Sequence, residues 1–395
     1  MLKIDDLVTI EIDNIAFGGS GVGRFDGLAV FVPLSIPGET IEARVIEIKK
    51  NYALAKIESI KNPSQKRQSP PCQYFGKCQG CVYQHMDYKE ELKIKTSQVK
   101  DIFERLAHIS DPPVLPATPC PHEYGYRNKV RLRYKQLKDN KKLFGYIIEN
   151  RKRTLDIESC LIASPLINKI LSDLRNNDFD FFGKQNIRSH NLTLIEDGIN
   201  SYTALEKKAE LKATVNNKIF NYSINSFFQV NRSIFNSLIE YLLSIITKLD
   251  LQDAYLCDLY CGVGFFGILL SEHFKHVHFV EQNRVSCRFL EKNIKENNIE
   301  NAKVINADTE AIIESLTNKY DVIIIDPPRS GCDDKVCASL AEMKPKKLIY
   351  ISCNPATMAR DIEKLTNLGF TLESLKPFDF FPKTKHIEVV AILRL

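Results

Sequence analysis

From about residue 223 onward, short and mostly apolar segments alternate with stretches of helical periodicity. The apolar segments are Ala254–Leu259, Val277–Val280, Lys303–Ile305, Val322–Ile325, Leu348–Ile351 and Val389–Leu393. A strand that is apolar along its whole length must be covered on both faces, as in a parallel sheet between two layers of helices. We therefore predict an α/β domain over residues 223–395.

The first sixty residues have a different pattern, in which short apolar runs are separated by glycine turns at intervals of about 8–12 residues. This spacing is typical of small antiparallel barrels, so we predict a β-barrel over residues 1–59. Lys61–Pro71 is polar and contains prolines, which indicates a linker. Residues 60–222 would then form a central α+β domain, with an amphipathic helix over Tyr88–Ala107 and further strands.

The basic side chains are concentrated in one part of the chain. Residues 61–160 carry 20 basic and 11 acidic side chains, whereas the net charge of the whole chain is +5. Five cations alternate with other residues in one predicted strand and would share one of its faces: Arg127, Lys129, Arg131, Arg133 and Lys135. Cations aligned in this way repel one another unless anions lie opposite, so we predict contact with the phosphates of a polyanion rather than a merely solvated face.

Composition excludes several classes of protein. Hydrophobic residues make up 44% of the chain and charged residues 26%, which excludes a disordered or fibrous chain. No apolar run reaches the roughly 18–20 residues that span a bilayer. The N-terminus lacks the pattern of a signal peptide, so we expect a cytoplasmic protein with no membrane partner.

Eleven cysteines in a chain of 395 residues are too few for a disulfide scaffold. In a reducing cytoplasm, cysteines are metal ligands, nucleophiles or core residues. Cys72, Cys78 and Cys81 lie in a short loop with glycines, and Cys160 would supply a fourth thiolate, with Cys120 as a competing ligand. The spacing predicts a metal centre but does not distinguish zinc from an iron–sulfur cluster.

A cofactor site is indicated where the first strand of the α/β domain ends. Gly262, Gly264 and Gly267 have the spacing G-x-G-x-x-G, which allows a tight turn and close approach of a ligand to the backbone. Glu281 ends the second strand, where a carboxylate can accept hydrogen bonds from both ribose hydroxyls. These features suit NAD as well as S-adenosylmethionine. The Asp326-Pro327-Pro328 turn resembles that of S-adenosylmethionine enzymes acting on nucleic-acid bases, which favours the second cofactor.

Two further residues are candidates for catalysis. Cys353 ends the next predicted strand and precedes a helix, where backbone N–H groups and the helix dipole favour a thiolate. Glu388 stands just before the apolar run of the last strand, a position that suggests it faces a site. A thiolate that adds to C6 of uracil makes C5 nucleophilic toward a methyl sulfonium, and a base must then remove the C5 proton. We therefore predict Cys353 as the nucleophile and Glu388 as the base.

Four segments together resemble the RNA uracil-C5 methyltransferases, which make 5-methyluridine in rRNA or tRNA. The segments are SFFQVN around Gln229, DPPR from Asp326, SCNP around Cys353 and HIE ending at Glu388. The N-terminal region resembles the TRAM domain, an RNA-binding barrel found in many members. The resemblance covers nearly the whole chain and implies a Rossmann-like, S-adenosylmethionine-dependent methyltransferase domain at its C-terminal end.

The resemblance also implies roles for individual residues. Those expected to contact S-adenosylmethionine are Gln229, Tyr260, Glu281 and Asp326, with Asp308 near the adenine. Gly262 and Gly264, singled out by the glycine spacing, complete the predicted cofactor site. Phe265 stands where members often have Asn. Cluster-bearing members hold a [4Fe–4S] cluster with the cysteine spacing seen here, which assigns the ligands as Cys72, Cys78, Cys81 and Cys160.

The resemblance thus implies an RNA methyltransferase that acts on C5 of one uridine, with 23S rRNA as the first candidate substrate and tRNA as the alternative. We expect it to be a monomer. An RNA cytosine-C5 methyltransferase is a rival hypothesis, because that chemistry also uses a cysteine nucleophile. A non-catalytic RNA-binding iron–sulfur protein is a second rival, against which the combined set of cofactor and catalytic candidates argues.

Overall fold

The computed structural model describes residues 2–137, 142–148, 153–176, 189–203, 209–224, 226, 228–251, 253–316 and 320–395. Phe227 of the SFFQVN segment lies outside these ranges. Within them the strands form four sheets. None of the helices described there is long and apolar enough to cross a membrane.

The N-terminal sheet contains β1 (Leu7–Glu11), β2 (Asn14–Ile15), β3 (Ser20–Phe25), β4 (Leu28–Pro33), β5 (Thr40–Ile48) and β6 (Tyr52–Asn62). Its order is β1-β5-β6-β4-β3-β2, and Asp13 after β1 donates its N–H to the Val22 carbonyl of β3, so the sheet curls back on itself. Alternate residues of β5 face inward, and Ile41, Ala43 and Val45 are fully buried. The predicted barrel is confirmed. One pair of strands differs from an all-antiparallel barrel, because β6 lies between β5 and β4, antiparallel to β5 and parallel to β4.

Helix α1 (Tyr88–Leu106) confirms the predicted amphipathic helix. Its N-terminus is capped by the Asp87 side chain, which accepts hydrogen bonds from two backbone N–H groups of the first turn. Its apolar face carries Val99, Ile102 and Phe103, which join one core of the C-terminal sheet. The helix therefore packs on the C-terminal part of the molecule, although it precedes the central sheet in the chain.

The central sheet contains β7 (Lys129–Gln136), β8 (Lys142–Ile148), β9 (Arg153–Asp156), β10 (Ser189–Glu196) and β11 (Ser201–Thr203), antiparallel in the order β11-β10-β7-β8-β9. Helix α2 (Pro165–Asn176) packs on one face of it. Val130, Leu132 and Tyr134 are buried on that face, so the period-two pattern predicted for β7 is confirmed. The basic residues between them occupy the opposite face.

The C-terminal part begins with a hairpin of β12 (Glu210–Val215) and β13 (Lys218–Ser223). Its large sheet contains β14 (Tyr255–Leu259), β15 (His276–Glu281), β16 (Ala302–Asn306), β17 (Val322–Ile325), β18 (Lys347–Ser352), β19 (Thr371–Phe378) and β20 (Glu388–Arg394). The helices are α3 (Phe235–Ile246), α4 (Phe265–Leu270), α5 (Arg284–Glu296), α6 (Thr309–Ile312), α7 (Asp334–Met343) and α8 (Pro355–Asn367), with 3-10 turns at Ser271–His273 and Ile313–Ser315.

The large sheet has the order β16-β15-β14-β17-β18-β20-β19, with β14 to β18 parallel and β20 antiparallel to β18. Separate hydrophobic cores cover its two faces, which confirms the predicted α/β domain. Strand β19 was not predicted, because its apolar residues are interrupted by charged ones and a proline. The chain order reverses between β14 and β17, the place where open α/β sheets bind ligands. Because β20 is antiparallel, it begins at the same edge at which the parallel strands end.

Candidate active site and cysteine cavity

The loop after β14 adopts a backbone conformation that glycine favours. Tyr260, Gly262 and Gly264 have φ angles of 59°, 58° and 85°. A Cβ on Gly264 would overlap the Leu290 side chain, whereas a Cβ on Gly262 would meet nothing within 4 Å. Gly264 is therefore needed for packing at the start of α4, and Gly262 leaves its backbone open to a ligand.

Glu281, at the end of β15, turns its carboxylate toward this loop. One oxygen accepts a hydrogen bond from the Gly262 N–H (3.0 Å) and the other from the Asn283 N–H (2.6 Å). A cavity of about 40 Å³ opens on the loop. The predicted cofactor residues that line this cavity are Gln229, Tyr260, Gly262 and Asp326. Phe265 lines it as well, edge-on to Phe228, so that part of the wall is aromatic.

Asp308, predicted near the adenine, caps the short helix α6. Its side chain accepts a hydrogen bond from the Ala311 N–H (3.3 Å). The Tyr260 hydroxyl donates to the carboxylate of Glu310 (2.9 Å), two residues beyond Asp308. Burial raises the pKa of Glu310 above 4.5, and its hydrogen bond with Asp308 raises it further. Glu310 thus links Tyr260 of the cavity wall to Asp308. This role was not predicted, because no motif in the sequence singles out Glu310.

The segment that carries Gln229 is held by the start of the central sheet. The side-chain amide of Asn128 donates to the Gln229 carbonyl (3.4 Å). The ammonium group of Lys129 donates to the carbonyls of Ile224 (3.1 Å) and Ser226 (3.4 Å), and burial lowers its pKa. The prediction that Lys129 faces a polyanion is therefore wrong, because its ammonium is turned beneath this segment.

The last two paired strands bring the predicted nucleophile and the predicted base together. Strands β18 and β20 are antiparallel, and their ladder ends with Ser352 opposite Val389. The next positions outward are Cys353 and Glu388, which therefore lie side by side at the edge that carries the cofactor cavity. Glu388 is only 3% exposed, whereas Cys353 is partly exposed and so accessible to a substrate.

Burial and neighbouring charges shift the pKa values at this edge. Burial raises the pKa of Glu388 well above 4.5, Asp326 raises it further, and Arg329 lowers it. Burial also raises the pKa of Asp326 to about 7. The pKa of the Cys353 thiol lies above 9.0, raised by burial first and Glu388 second, against an opposing hydrogen bond from Arg329. At neutral pH these groups therefore hold more protons than they would in water.

Arg329 is the cation among these groups, and its turn is tied to the turn that carries Cys353. The Asn354 side-chain amide donates to the Arg329 carbonyl (3.1 Å), and the Thr357 hydroxyl donates to the same oxygen (3.1 Å). The turns after β17 and β18 are therefore fixed relative to each other. The sequence identified Arg329 only as part of a motif, because its contact with Cys353 joins two separate loops.

A buried ion network holds the loop that precedes Glu388. Lys95 of α1 contacts Glu91 (2.8 Å) and Asp379 (2.7 Å), and Lys383 contacts Glu91 (3.3 Å), with all four side chains fully buried. Lys383 also has a strained φ of 67°. Removing one partner from such a buried set costs about 3–5 kcal/mol, so the loop is firmly held. This network was not predicted, because its one local signal in the sequence is the i,i+4 pair of Glu91 and Lys95 on α1.

The four predicted metal-binding cysteines line one cavity of about 270 Å³. They are Cys72, Cys78, Cys81 and Cys160. Burial raises the pKa of the Cys81 thiol to about 12. Among the residues that the structure describes, no group of three or more His, Cys, Asp or Glu side chains is arranged to hold a metal ion. The four thiols therefore surround a common space rather than a single point.

Cys120, the competing ligand, lies at another place in the fold. Its buried thiol accepts a hydrogen bond from the Asn231 side-chain amide (3.2 Å) and lies 3.3 Å from the Ser233 hydroxyl. The cysteine cavity is lined by Cys160 and not by Cys120.

Comparisons with known proteins identify the family of the chain. Residues 183–394 match the family model described as tRNA (Uracil-5-)-methyltransferase, and residues 6–57 match the TRAM domain. An uncharacterized RNA methyltransferase of Fusobacterium nucleatum is 30% identical over 100% of this chain and 97% of its own length. A second uncharacterized RNA methyltransferase, from Staphylococcus aureus, is 28% identical over 99% of this chain and 98% of its own.

A solved structure has the same fold. The crystal structure of the Pyrococcus abyssi tRNA (uracil-54, C5)-methyltransferase in complex with S-adenosyl-L-homocysteine aligns with a TM-score of 0.73 and 22% sequence identity. The alignment covers 98% of this chain and 100% of that chain, so the likeness extends over the whole architecture.

Proposed function

This chain belongs to the tRNA (uracil-5-)-methyltransferase family, and from that premise we propose that it methylates C5 of a uridine in RNA with S-adenosylmethionine as the methyl donor. The observation that carries the proposal is the end of the β18–β20 ladder, which sets Cys353 beside Glu388 at the edge of the cofactor cavity. A nucleophile and a buried carboxyl beside an adenosine site are the groups that C5 methylation requires.

The proposed substrate is ribosomal RNA. The four cysteines have the spacing of the cluster-bearing members of the family, and this resemblance favours 23S rRNA. The alternative is tRNA, which the family description and the name of the Pyrococcus abyssi enzyme support. The proposed reaction takes place in the cytoplasm, where reducing conditions keep cysteines available as ligands.

The residues around the small cavity fit S-adenosylmethionine. Backbone N–H groups already orient both oxygens of Glu281, and each oxygen keeps a lone pair for a ribose hydroxyl. The other proposed contacts are Gln229, Tyr260, Gly262, Gly264, Asp308 and Asp326. When bound, S-adenosylmethionine supplies the electrophilic methyl carbon.

Cys353 and Glu388 divide the remaining chemistry. The Cys353 thiolate forms a bond to C6 of the uracil, and the electrons of the C5=C6 bond move toward C5 and O4, which makes C5 nucleophilic. Once C5 carries the methyl group, ionised Glu388 takes the C5 proton, the C5=C6 bond forms again and the C6–S bond breaks. Cys353 leaves as a thiolate, which the neighbouring Arg329 stabilises.

We propose that the cysteine cavity holds a [4Fe–4S] cluster. A single zinc ion draws its four ligands within van der Waals contact of one another, whereas a cubane cluster holds its thiolates farther apart. Four thiols around a cavity of about 270 Å³ fit the larger group. Its aromatic lining by Tyr74, Phe75 and Tyr146 would shield a cluster from water. The cluster would fix the cysteine loop in place, and no reaction step is assigned to it.

The cluster proposal predicts a metal content. Protein purified without oxygen should contain about four iron and four sulfide per chain. The Cys81→Ser variant should lose most of both, because three thiolates hold a cluster poorly. Cys120→Ser is the control and should keep them, since this thiol lies outside the cavity. One zinc per chain in place of iron, measured by elemental analysis, would contradict the proposal.

The function itself is tested by product analysis. Protein incubated with methyl-labelled S-adenosylmethionine and unmodified total RNA should place the label in 5-methyluridine, identified by nucleoside mass spectrometry. Separation of the RNA by size then distinguishes ribosomal RNA from tRNA as the substrate. Label in 5-methylcytidine would favour the cytosine-C5 hypothesis, and no incorporation into any RNA would favour a non-catalytic RNA-binding protein.

A further inference from the structure

An open groove of about 560 Å³ lies on the face of the central sheet opposite α2. The lining residues that matter here are Gln79, Gly80, Arg131, Arg133, Ile147 and Asn191. One wall is therefore the cysteine loop, and the floor is formed by strands β7, β8 and β10. The groove is separate from the cofactor cavity and from the Cys353–Glu388 pair, and the mechanism does not use it.

The strand register explains the shape of this groove. Asn191, Arg133 and Gly145 are cross-strand neighbours, so they form one row on the same face. Gly145 leaves a gap in that row, and it cannot carry a side chain there because a Cβ would overlap the Leu155 carbonyl oxygen. Ile147, the next residue of β8 on this face, is 39% exposed. The face thus offers a trough with an apolar patch beside two arginines.

The charge of the groove selects an anion. Arg131 is exposed, and the Arg133 guanidinium has a long contact with the Asn191 side-chain oxygen (3.4 Å). None of the described residues that line the groove is acidic. Two guanidinium groups on alternate residues of one strand would both face an extended ligand, which suits successive phosphates.

The groove continues toward the catalytic carboxyl. It shares Gln79, Gly80, Arg131 and Tyr146 with the cysteine cavity. The same cavity is lined by Lys385 and His386, which lie three and two residues before the start of β20 at Glu388. The cysteine cavity therefore lies between the loop that leads to Glu388 and the open face of the sheet, with Lys385 on one side and Arg131 on the other.

We propose that this groove binds the single-stranded RNA next to the target uridine, with phosphates on Arg131 and Arg133 and a base in the trough at Gly145. The proposal rests on the proposed RNA methylation and adds the place where the flanking strand lies. The volume suits one or two nucleotides. A target base must leave its stack to react, so its neighbours are unpaired as well, which favours a single strand over a duplex.

The test compares Arg131→Ala/Arg133→Ala with Lys169→Ala, an exposed lysine on α2 at the opposite face of the sheet. The probe is fluorescein-labelled oligouridine of about 12 nucleotides. The double variant should bind it at least about tenfold more weakly, and the slope of log affinity against log salt should fall by about 0.7 for each arginine. In methylation assays KM for RNA should rise while kcat and S-adenosylmethionine affinity stay unchanged, and Lys169→Ala should behave as the wild type.

Several results would overturn the proposal. One is a double variant that binds the oligouridine with the affinity and salt slope of the wild type. Another is duplex RNA that competes for the protein as well as single-stranded RNA does. If the double variant fails to unfold cooperatively, the single variant Arg131→Glu takes its place, because this exposed site tolerates substitution. Arg131→Glu should also weaken binding of the oligouridine, since it replaces a cation with an anion. Wild-type protein that binds oligouridine through both arginines yet methylates no RNA would refute the proposed function and leave the groove in place.

Discussion

The Cys353→Ala variant is expected to lose methyl transfer by a factor of about 10⁴ or more while it still binds S-adenosylmethionine. The methyl group of alanine cannot bond to C6 of the uracil, so C5 never becomes nucleophilic. The cofactor cavity should be unaffected, because Cys353 lies at the edge of the sheet and is not among its lining residues. Single-turnover methylation and equilibrium dialysis with labelled cofactor measure the two properties separately.

Cys337→Ala provides the matched control for this variant. Cys337 is a buried thiol of α7, and its replacement should affect stability more than turnover. Full activity of Cys353→Ala would contradict the assignment of the nucleophile. Equal losses in the two variants would point instead to a general need for thiols in packing.

The same assignment predicts how the first step depends on pH. The pKa of Cys353 lies above 9.0, so the thiolate fraction, and with it the rate of adduct formation, should rise about tenfold per pH unit from about pH 7 to 9. The adduct formed in rapid-quench experiments measures this rate. A plateau that begins below about pH 8 would show that the thiol ionises earlier than its burial implies.

The Glu388→Gln variant is expected to accumulate a covalent complex between protein and methylated RNA. Glutamine cannot take the C5 proton, so the C6–S bond cannot break, although thiolate addition and methyl transfer still occur. Release of the product should slow by about 10²–10⁴. A slowly migrating, methyl-labelled species on a denaturing gel would reveal the complex. The double variant Cys353→Ala/Glu388→Gln is the control and should not form it.

The raised pKa of Glu388 makes this variant a clean test. The pKa of this carboxyl is higher in the folded protein than in the unfolded chain, where it is about 4.5. The free energy of unfolding of the wild type therefore falls as pH rises above that unfolded value. Glutamine resembles the protonated form and removes that loss. The thermal unfolding temperature of Glu388→Gln at neutral pH should therefore equal or exceed that of the wild type. Normal folding without any covalent complex would refute Glu388 as the base.

Short-range patterns in the sequence determined much of this structure. Apolar runs and their spacing located the strands, because burial on one face or on both leaves a local periodicity. The glycines around Gly262 and the acidic strand end at Glu281 marked the cofactor loop, since a tight turn and a carboxylate at a strand tip are local features.

Other features depend on which distant segments pack together, and only the tertiary structure decided them. The reversal of β20 puts Glu388 beside Cys353, and nothing in either segment alone specifies that pairing. Lys129 turned inward although it shares the strand pattern of Arg131 and Arg133, because carbonyls of a remote segment lie within its reach. Likewise, the network around Lys95 joins residues nearly three hundred positions apart. Local periodicity encodes which face of an element is buried, whereas the partner of a buried charge or an edge residue is fixed by the free energy of the whole packed chain.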